Sequence, residues 1–241
     1  YDYYQRPVQV RSTDINGKVH VQSMAYDFCD HVIASSDKVE NISLVQHKTY
    51  DHAGRLLTEA RLVNDLASDT LTYNYDELGR IASFKRGNGA HSLTLTNRYN
   101  LRGWLTSIER PLFSQKLFYT DCIGTPCYIG NISSMSWKTG VDTDVRNYCF
   151  EYDLLSRLKN ATYGEGEKLS LNANRFNEQI TGYDKNGNIL GLKRYGQTSA
   201  NGYGLVDDLA ITLNGKQLKR VVNSVSGSAF VDNIAFKYGT K

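Results

Sequence analysis

Short runs of alternating apolar and polar residues recur along this chain. The clearest are LTYNY at 71–75, KVHVQ at 18–22, NYCFEY at 147–152 and LAITL at 209–213. Alternation with a period of two residues is typical of a strand that has one buried face. No window shows the longer period of an amphipathic helix, so helices are expected to be marginal features at most.

Several of these runs lead into a recurring phrase, Tyr-Asp-x-x-Gly-Arg-Leu. Full copies begin at Tyr1, Tyr26, Tyr50, Tyr75, Tyr99, Tyr152 and Tyr183, with spacings of 25, 24, 25, 24, 53 and 31 residues. Because the spacing of 53 is close to two periods, a shortened copy is assigned within it at Tyr128 (YIGNIS), and a second begins at Leu213 (LNGKQL). About 25 residues accommodate two strands and two turns. The sequence therefore predicts nine such turns.

The residues of the motif predict a three-residue hairpin loop. Asp is favoured at the first position of a type I turn, and a glycine three residues later can adopt the left-handed conformation of a G1 bulge. In the copy YDELGRI this turn would place Asp76 opposite Arg80 on one face and Tyr75 opposite Ile81 on the other. Since a one-residue slip would move the charged pair to the apolar face, we interpret the repeat as a device that fixes strand register.

The predicted structural site consists of the turn residues in the best-kept copies. They are Tyr50, Asp51, Gly54, Arg55, Tyr75, Asp76, Gly79, Arg80, Tyr152, Asp153, Arg157, Tyr183, Asp184 and Gly187. Other copies have lost motif residues but are expected to keep the turn. The glycine is replaced by Gln5, Asp30 or Ser156 in three copies, the leucine by Pro7 and the arginine by His31. The pair formed by Asp76 and Arg80 has the counterparts Asn100 with Trp104 and Asp184 with Asn188 in two further copies.

Turn chemistry also predicts the connections between copies. Asn16-Gly17 and Asn214-Gly215 are signals for two-residue type I′ hairpins. The glycines of 87–89 and 164–166 predict tight turns. Two segments rich in Ser, Thr, Asn and Gly, 133–147 and 195–204, are interpreted as surface loops. We therefore expect one repeat segment over 1–241, with a sub-boundary near 130–147.

Composition narrows the class of protein. The chain has 241 residues, of which 40% are hydrophobic and 22% charged, as in folded soluble proteins. Its 17 tyrosines suit half-exposed sheet surfaces. The net charge of +3 comes from scattered residues, which argues against nucleic-acid binding. No apolar window predicts a membrane span, and the N-terminus lacks a signal peptide. The chain opens inside the repeat, so we expect a piece of a longer protein.

The sequence carries no recognisable catalytic or cofactor motif. It has no G-x-S-x-G elbow or Walker loop, and its histidines, His20, His31, His47, His52 and His91, show no metal-ligand spacing. Asp142 with Asp144, and Asp207 with Asp208, are interpreted as solvated acids at loops or strand ends. The expectation is a chain with no catalytic residue, metal or cofactor.

The four cysteines and one tryptophan leave alternatives open. Cys29, Cys122, Cys127 and Cys149 match no metal knuckle, and Cys122 and Cys127 form either a local disulfide or small buried thiols. Repeat tyrosines are explained by cross-strand packing. Trp137, in the predicted polar loop, is the one aromatic residue assigned as a candidate ligand contact.

The motif resembles that of the Rhs, or YD-repeat, family of large bacterial surface and secreted proteins, over nearly the whole chain. The longer phrases YNLRGWLTSI (99–108), YDLLSRLKNATYGEG (152–166) and YDKNGNILGLKRYG (183–196) are similar to one branch of it. The resemblance implies an all-β fold: antiparallel hairpins in a curved, spiralling single-layer sheet, as in a fragment of a shell around a C-terminal toxin or effector. The Asp-Pro-x-Gly-Leu signature of family self-cleavage is missing, since the prolines follow Arg6, Arg110 and Thr125.

These observations favour a non-enzymatic structural segment of a bacterial secreted or surface protein. Its expected partners are the rest of the same polypeptide and the C-terminal effector. Glycan or protein binding by an adhesion module is the alternative, and an enzyme is the third hypothesis. Open sheet edges also predict self-association.

Overall fold

The computed structural model of the protein describes residues 1–87, 92–121 and 124–226, and the backbone of 234–235. The described residues form strands and turns and no helix. The strands are β1 (Gln9–Thr13), β2 (Val19–Tyr26), β3 (Val32–Val39), β4 (Ile42–Tyr50), β5 (Leu56–Val63), β6 (Leu66–Tyr75), β7 (Ile81–Arg86), β8 (Leu93–Tyr99), β9 (Leu105–Arg110), β10 (Phe113–Phe118), β11 (Ser134–Thr139), β12 (Arg146–Tyr152), β13 (Leu158–Glu165), β14 (Glu178–Tyr183), β15 (Ile189–Gln197), β16 (Tyr203–Asn214), β17 (Gln217–Asn223) and β18 (Ile234–Ala235).

The chain divides into two units. The first comprises Tyr1–Arg98 and Ile108–Pro111, and the second Tyr99–Ser107 and Leu112–Lys241. In the first unit β1 to β8 pair antiparallel in chain order. In the second, β10 to β18 do the same. The predicted fold class, all-β with repeated antiparallel hairpins in a single-layer sheet, is confirmed.

The division lies upstream of the predicted sub-boundary. Residues 130–147 include β11 and the start of β12, which pair with each other through Trp137 and Arg146. The predicted surface loop at 133–147 is therefore wrong: it contains a strand, and Ser133, Ser134 and Asn147 are buried. The second predicted loop is shorter than expected, because β15 ends at Gln197 and β16 begins at Tyr203.

The motif turn has the predicted geometry. In the copy at Asp76, the amide of Gly79 donates to the carbonyl of Asp76 at 2.9 Å, and the amide of Asp76 donates to the carbonyl of Arg80 at 2.9 Å. Gly79 has φ 78°, in the left-handed region. Tyr75 pairs with Ile81 across a bulge. The same two amide bonds recur in the copies that begin at Tyr1, Tyr26, Tyr50, Tyr99, Tyr152 and Tyr183.

Copies without the glycine keep this turn by straining the backbone. Gln5, Asp30 and Ser156 have φ values of 61°, 66° and 62°. A left-handed conformation costs a residue with a side chain about 1–2 kcal/mol. The shape of the turn is therefore maintained where the residue best suited to it has been lost.

One turn of this type lies outside the predicted set. Residues 14–18 form the same loop, since the amide of Gly17 donates to the carbonyl of Asp14 and the amide of Asp14 to that of Lys18. The predicted type I′ hairpin at Asn16-Gly17 is therefore wrong, because the loop has three residues and Asp14 is its cap. The phrase DINGKV carries the Asp, Gly and basic positions of the motif and lacks only the tyrosine.

The shortened copy at Leu213 is a hairpin, but its turn is displaced by one residue from the prediction. Asn214 pairs with Gln217, so the turn residues are Gly215 and Lys216, with Gly215 at φ 62°. Leu213 faces Leu218 next to a bulge. This pair spans five positions where Tyr75 and Ile81 span six, so the copy is a smaller form of the motif.

The glycines at 164–166 do not form a tight hairpin turn. Gly164 and Glu165 end β13, and residues 166–177 form a connection to β14. The predicted turn at 87–89 involves residues 88 and 89, which lie outside the described part of the chain.

Burial differs between the units. Among the described residues of the first unit only Glu59 and Leu71 are buried. The second unit buries more, including the apolar residues Tyr119, Ala161, Tyr163, Leu209 and Val221. The larger core therefore lies in the unit where the repeat is less regular.

Candidate functional site

The aspartate of the motif caps its own turn. Asp76 Oδ1 accepts hydrogen bonds from the amides of Leu78 (3.0 Å) and Arg80 (2.9 Å), and Oδ2 accepts one from Arg80 Nε at 2.6 Å. The hydrogen bond from the Arg80 amide is the largest cause of a lowered pKa for Asp76. Burial acts in the opposite direction, and the Arg80 guanidinium lowers the pKa further. The predicted Asp76–Arg80 pair is confirmed. The backbone caps were not predicted, and they explain why asparagine at position 100 still forms the turn.

The other predicted turn residues occupy equivalent positions. Asp51 caps Ala53 and Arg55 and binds the Arg55 guanidinium at 2.7 Å. Asp153 Oδ2 accepts a hydrogen bond from Arg157 Nε at 2.7 Å, and Asp184 Oδ2 accepts one from the side-chain amide of Asn188 at 2.8 Å. Gly54 and Gly187 have φ values of 76° and 83°.

A second set of contacts joins each turn to the next copy. The guanidinium of one copy lies over the tyrosine ring of the following copy, at 4.6 Å for Arg6 and Tyr26, 4.7 Å for Arg55 and Tyr75, and 4.4 Å for Arg157 and Tyr183. This contact between copies was not predicted from the sequence. A sequence signal was present in the first unit, where Arg6 and Tyr26, and Arg55 and Tyr75, are both 20 residues apart, but Arg157 and Tyr183 are 26 apart.

The tyrosine hydroxyl completes this connection. It donates to the carbonyl of the residue that follows the arginine position in the preceding copy. The pairs are Tyr26 with Pro7 (3.0 Å), Tyr50 with Val32 (3.0 Å), Tyr75 with Leu56 (2.8 Å), Tyr152 with Ile132 (2.7 Å) and Tyr183 with Leu158 (2.5 Å). Each tyrosine therefore belongs structurally to two copies. The motif ties successive hairpins together as well as setting register within one.

Two copies without arginine keep an inter-copy contact through another ring. His31 stacks on Tyr50 with ring centroids 4.6 Å apart and an interplanar angle of 20°. Trp104 lies 4.9 Å from Tyr119, whose hydroxyl donates to the carbonyl of Leu105 at 2.9 Å. Tyr119 therefore occupies the motif position that the sequence analysis assigned to Tyr128. Tyr128 lies in a turn between β10 and β11 and is 67% exposed.

Trp137 lies on β11, not in a polar loop, and it lines a cleft of about 780 Å³ in the second unit. Strand register places the lining residues on one face: Trp137 pairs with Arg146, and Tyr148 with Tyr163. The volume is within the range of ligand pockets, about 300–1,000 Å³. We call this feature the aromatic cleft.

Five aromatic rings form a continuous row along the aromatic cleft. Trp137 stacks on Tyr148 at 5.6 Å, Tyr148 meets Tyr163 at 5.4 Å, Tyr163 meets Phe176 at 5.0 Å, and Phe176 meets Tyr203 at 5.4 Å. Tyr163, at the centre, is 3% exposed. Burial and the hydrogen bond that Tyr163 donates to the Glu165 carboxylate raise the pKa of its hydroxyl.

Charged residues of both signs line the same cleft. Its guanidinium groups belong to Arg146, Arg175 and Arg194, and its carboxylates to Glu165, Glu178 and Asp207. Arg194 binds Asp207 through Nε (2.9 Å) and Nη2 (2.5 Å). The guanidinium of Arg175 lies 4.3 Å from the ring centre of Tyr203. Aromatic faces combined with paired charges suit a ligand that has both apolar and hydrogen-bonding surfaces.

One wall of the aromatic cleft is the connection at 166–177, which is pinned to the sheet. Asn177 Oδ1 accepts the amide of Tyr163 at 2.7 Å, and the amide of Asn174 donates to the carbonyl of Tyr163 at 2.9 Å. The connection passes so close to Gly164 that a Cβ there would lie 2.5 Å from the carbonyl oxygen of Leu169. Glycine is therefore required at this position by space rather than by turn geometry.

Two of the predicted solvated acids are not solvated. Asp207 is 4% exposed and also accepts a hydrogen bond from Asn223 at 2.8 Å. Asp142 accepts hydrogen bonds from the amide and hydroxyl of Thr139, both at 2.7 Å, and binds Arg146. Asp144 is exposed, and Asp208 lies 3.7 Å from Lys193.

The remaining predicted residues have mixed positions. His20 and His47 lie on strands, His31 and His52 on motif turns, and His91 outside the described residues. Cys29 is exposed, and Cys127 and Cys149 are half-buried. Because Cys122 lies outside the described residues, the Cys122–Cys127 alternatives stay a prediction. Within the described ranges, no helix has the length and apolar character needed to cross a bilayer.

The sequence matches no family model and no curated protein. Solved structures resemble it in fold. The crystal structure of TcdB2-TccC3-Cdc42 matches with a TM-score of 0.69 at 13% identity, over 95% of this chain and 13% of that one. TcdB2-TccC3-TEV matches with a TM-score of 0.55 at 11% identity, over 97% of this chain and 13% of that one. The Tc holotoxin pore of Photorhabdus luminescens matches with a TM-score of 0.51 at 13% identity, over 89% and 14%. This chain therefore has the fold of a short segment of these toxin chains.

Proposed function

We propose that the chain is a non-catalytic structural repeat segment of a bacterial secreted or surface protein. It forms part of a shell or stalk that encloses or displays a C-terminal effector carried by the same polypeptide. The observation that carries the proposal is the tie between copies, in which arginine of one turn covers tyrosine of the next. Such a tie suits a wall, because it propagates one geometry from hairpin to hairpin.

The fold comparisons support this proposal at the level of architecture. The chain spans 13% of the TcdB2-TccC3-Cdc42 chain that it resembles, so that it corresponds to a small part of a large molecule. The resemblance of the motif to the Rhs family points to the same kind of assembly. In the copies at Asp51, Asp76 and Asp153, the aspartate and the guanidinium bind each other and the tyrosine hydroxyl binds the preceding copy, so these side chains serve structural contacts.

Electron cryo-microscopy of the full-length protein tests the proposal. The expected result is that residues 1–241 form part of a continuous wall around, or a support below, density for a further domain. An isolated strip that contacts no other part of the polypeptide would contradict it.

A second candidate function, ligand binding by an adhesion module, is favoured by the aromatic cleft. A row of five rings with flanking arginines and carboxylates could stack on a sugar or hold a peptide segment. A glycan array probed with the wild type, Trp137→Ala and, as a matched control outside the cleft, Tyr128→Ala tests it. Binding that is lost only in Trp137→Ala would support this function. A silent array, or binding that Trp137→Ala leaves unchanged, would count against glycan binding.

A further inference from the structure

The second copy of the motif, YDFCDHV, differs chemically from the others. It has Cys29 two residues after the motif aspartate and His31 in place of arginine. No other full copy combines a cysteine and a histidine at these positions. Asp27, Cys29 and His31 supply a carboxylate oxygen, a sulfur and an imidazole nitrogen, which are the three kinds of ligand that zinc takes from proteins.

The motif turn brings these three groups together. Asp27 Oδ1 accepts the amides of Cys29 (2.8 Å) and His31 (2.9 Å), and Oδ2 lies 2.8 Å from His31 Nδ1. One ligand atom from each of the three residues lies within 4.8 Å of the other two. Ligand atoms in a tetrahedral zinc site are about 3.3–3.8 Å apart. Closing the site requires the longest of these separations to shorten by at most about 1 Å and the 2.8 Å separation of Oδ2 and Nδ1 to lengthen, shifts that side-chain rotations at an exposed turn can supply. The alternate spacing D-x-C-x-H explains why sequence motifs for metals did not detect it.

The next copy fixes the orientation of His31. The imidazole stacks on Tyr50, and a Cβ at Gly54 would lie 2.8 Å from His31 Nε2. Nε2 therefore faces the following turn, while Nδ1 faces the Asp27 carboxylate. This preorganisation lowers the cost of ordering a ligand that is otherwise half-exposed.

The change from arginine to histidine also releases the carboxylate. In the copies at Asp51, Asp76 and Asp153, Oδ2 binds a guanidinium, which stays protonated in proteins and cannot ligate a metal. The nearest arginine to the second turn, Arg6, binds the Asp30 carboxylate and the main-chain carbonyl of Asp27. The partner of Asp27 Oδ2 is then an imidazole, whose Nδ1 can ligate a metal in the tautomer that carries the ring proton on Nε2.

We propose that Asp27, Cys29 and His31 form a mononuclear site for a thiophilic divalent cation of the zinc class, with water as the fourth ligand. Binding through Nδ1 leaves the single proton of the neutral imidazole on Nε2 and releases the thiol proton to solvent, and no oxidation change occurs. The site goes beyond the structural function proposed above, because it makes one turn of the repeat depend on a metal ion. It holds whether or not the chain is part of a shell.

Titration with Co²⁺ under reducing conditions tests the proposal directly, with zinc as competitor. The expected result is one equivalent of Co²⁺ with a thiolate charge-transfer band that Zn²⁺ abolishes. Cys29→Ser should remove the band, and so should His31→Arg, which restores the motif residue and leaves the fold intact. Cys127→Ser is the matched thiol control and should keep the band.

Moving the cysteine and histidine to another copy of the motif tests whether the band comes from this arrangement of ligands or from any exposed thiol. In the Cys29→Ser background, Ala53→Cys with Arg55→His recreates the three groups in the third copy, where Asp51 caps the turn in the same way. The band should return with the same stoichiometry. Three results would overturn the proposal. The band could persist in the single variant Cys29→Ser, it could be unchanged by His31→Arg, or it could be absent from both the wild type and the transplant.

Discussion

The two units of the chain use the same turn but bury their side chains differently. In the first unit the copies follow each other at spacings of 24 and 25 residues, and its described residues include only two buried ones, Glu59 and Leu71. In the second unit the spacings are irregular and the connections are longer. There the connection at 166–177 folds back on the sheet, and Tyr163 becomes 3% exposed.

This difference separates two sources of stability. A regular copy is stabilised by small contacts that recur, namely the cap, the cation–π contact and the tyrosine hydroxyl bond. A departure from the repeat adds chain that covers the sheet, and it creates both the buried residues and the aromatic cleft. Regularity therefore produces uniform contacts between hairpins, and irregularity produces the aromatic cleft. The variants below test the two sources of stability separately.

The largest expected effect is at Tyr163. Tyr163→Ala removes a buried ring that contacts Tyr148 and Phe176, so it should lower the free energy of unfolding of the second unit by about 3–5 kcal/mol. Tyr163→Phe keeps the ring and should cost much less. Both tryptophans of the chain, Trp104 and Trp137, lie in the second unit, so urea unfolding followed by tryptophan fluorescence reports on it. Equal losses in the two variants would contradict burial as the source of stability.

Next in size is the turn glycine of the first unit. Gly79→Val forces a β-branched residue into φ 78° and should cost about 1–2 kcal/mol, measured by urea unfolding with far-ultraviolet circular dichroism. Glu77→Val, at an exposed position of the same turn, is the control and should change the free energy of unfolding by less than about 0.5 kcal/mol. Arg80→Ala should have a smaller effect than Gly79→Val. If all three variants behave alike, the bulged turn is not what limits stability here.

A smaller effect distinguishes Tyr119 from Tyr128. Tyr119→Phe removes the hydroxyl that binds the carbonyl of Leu105, so it should destabilise the second unit by about 0.5–1.5 kcal/mol. Tyr128→Phe changes an exposed side chain and should have no measurable effect. Tryptophan fluorescence during urea unfolding measures both. A larger loss of stability in Tyr128→Phe than in Tyr119→Phe would show that Tyr128, and not Tyr119, is the motif tyrosine of this copy.

The smallest expected effect is a gain. Ser156→Gly relieves a side chain at φ 62°, but glycine also increases the entropy of the unfolded chain. The net result should be stabilisation of the second unit by up to about 1 kcal/mol. Ser156→Ala keeps the strain and is the matched control. A loss of stability in Ser156→Gly would show that the serine side chain contributes more than the turn conformation does.

The turns could be predicted from the sequence because their causes are local. Aspartate, glycine and the residues between them decide the backbone of five positions, and every predicted full copy has the expected turn. The same reasoning gave the wrong turn at Asn16-Gly17. Asp14 accepts hydrogen bonds from the amides of Asn16 and Lys18, and these bonds stabilise a three-residue loop instead of the two-residue type I′ hairpin.

The aromatic cleft could not be predicted, since its causes are distant in sequence. The polar composition of 133–147 predicts a loop, but the segment contains β11, and three of its polar residues, Ser133, Ser134 and Asn147, are buried. Asn147 donates to the carbonyls of Val145 (3.2 Å) and Gly166 (2.9 Å), and the second of these depends on the path of the connection after β13. No local pattern encodes that path. The ties between copies could be predicted only in part. The spacing of Arg55 and Tyr75 is visible in the sequence, but the contact between the guanidinium of one copy and the ring of the next is visible only in the structure.

The most direct test of the central claim is a double-mutant cycle between Arg55 and Tyr75, residues of successive copies whose guanidinium and ring are 4.7 Å apart. Arg55→Leu and Tyr75→Leu should show a coupling of about 0.5–1 kcal/mol in the free energy of unfolding, as expected for a cation–π contact near the surface. The same cycle with Arg55 and Tyr50, which belong to one copy, should be additive. Coupling for Arg55 with Tyr75 and additivity with Tyr50 would confirm that the motif ties neighbouring hairpins. Additivity in both cycles would contradict it and leave each turn as an independent local device.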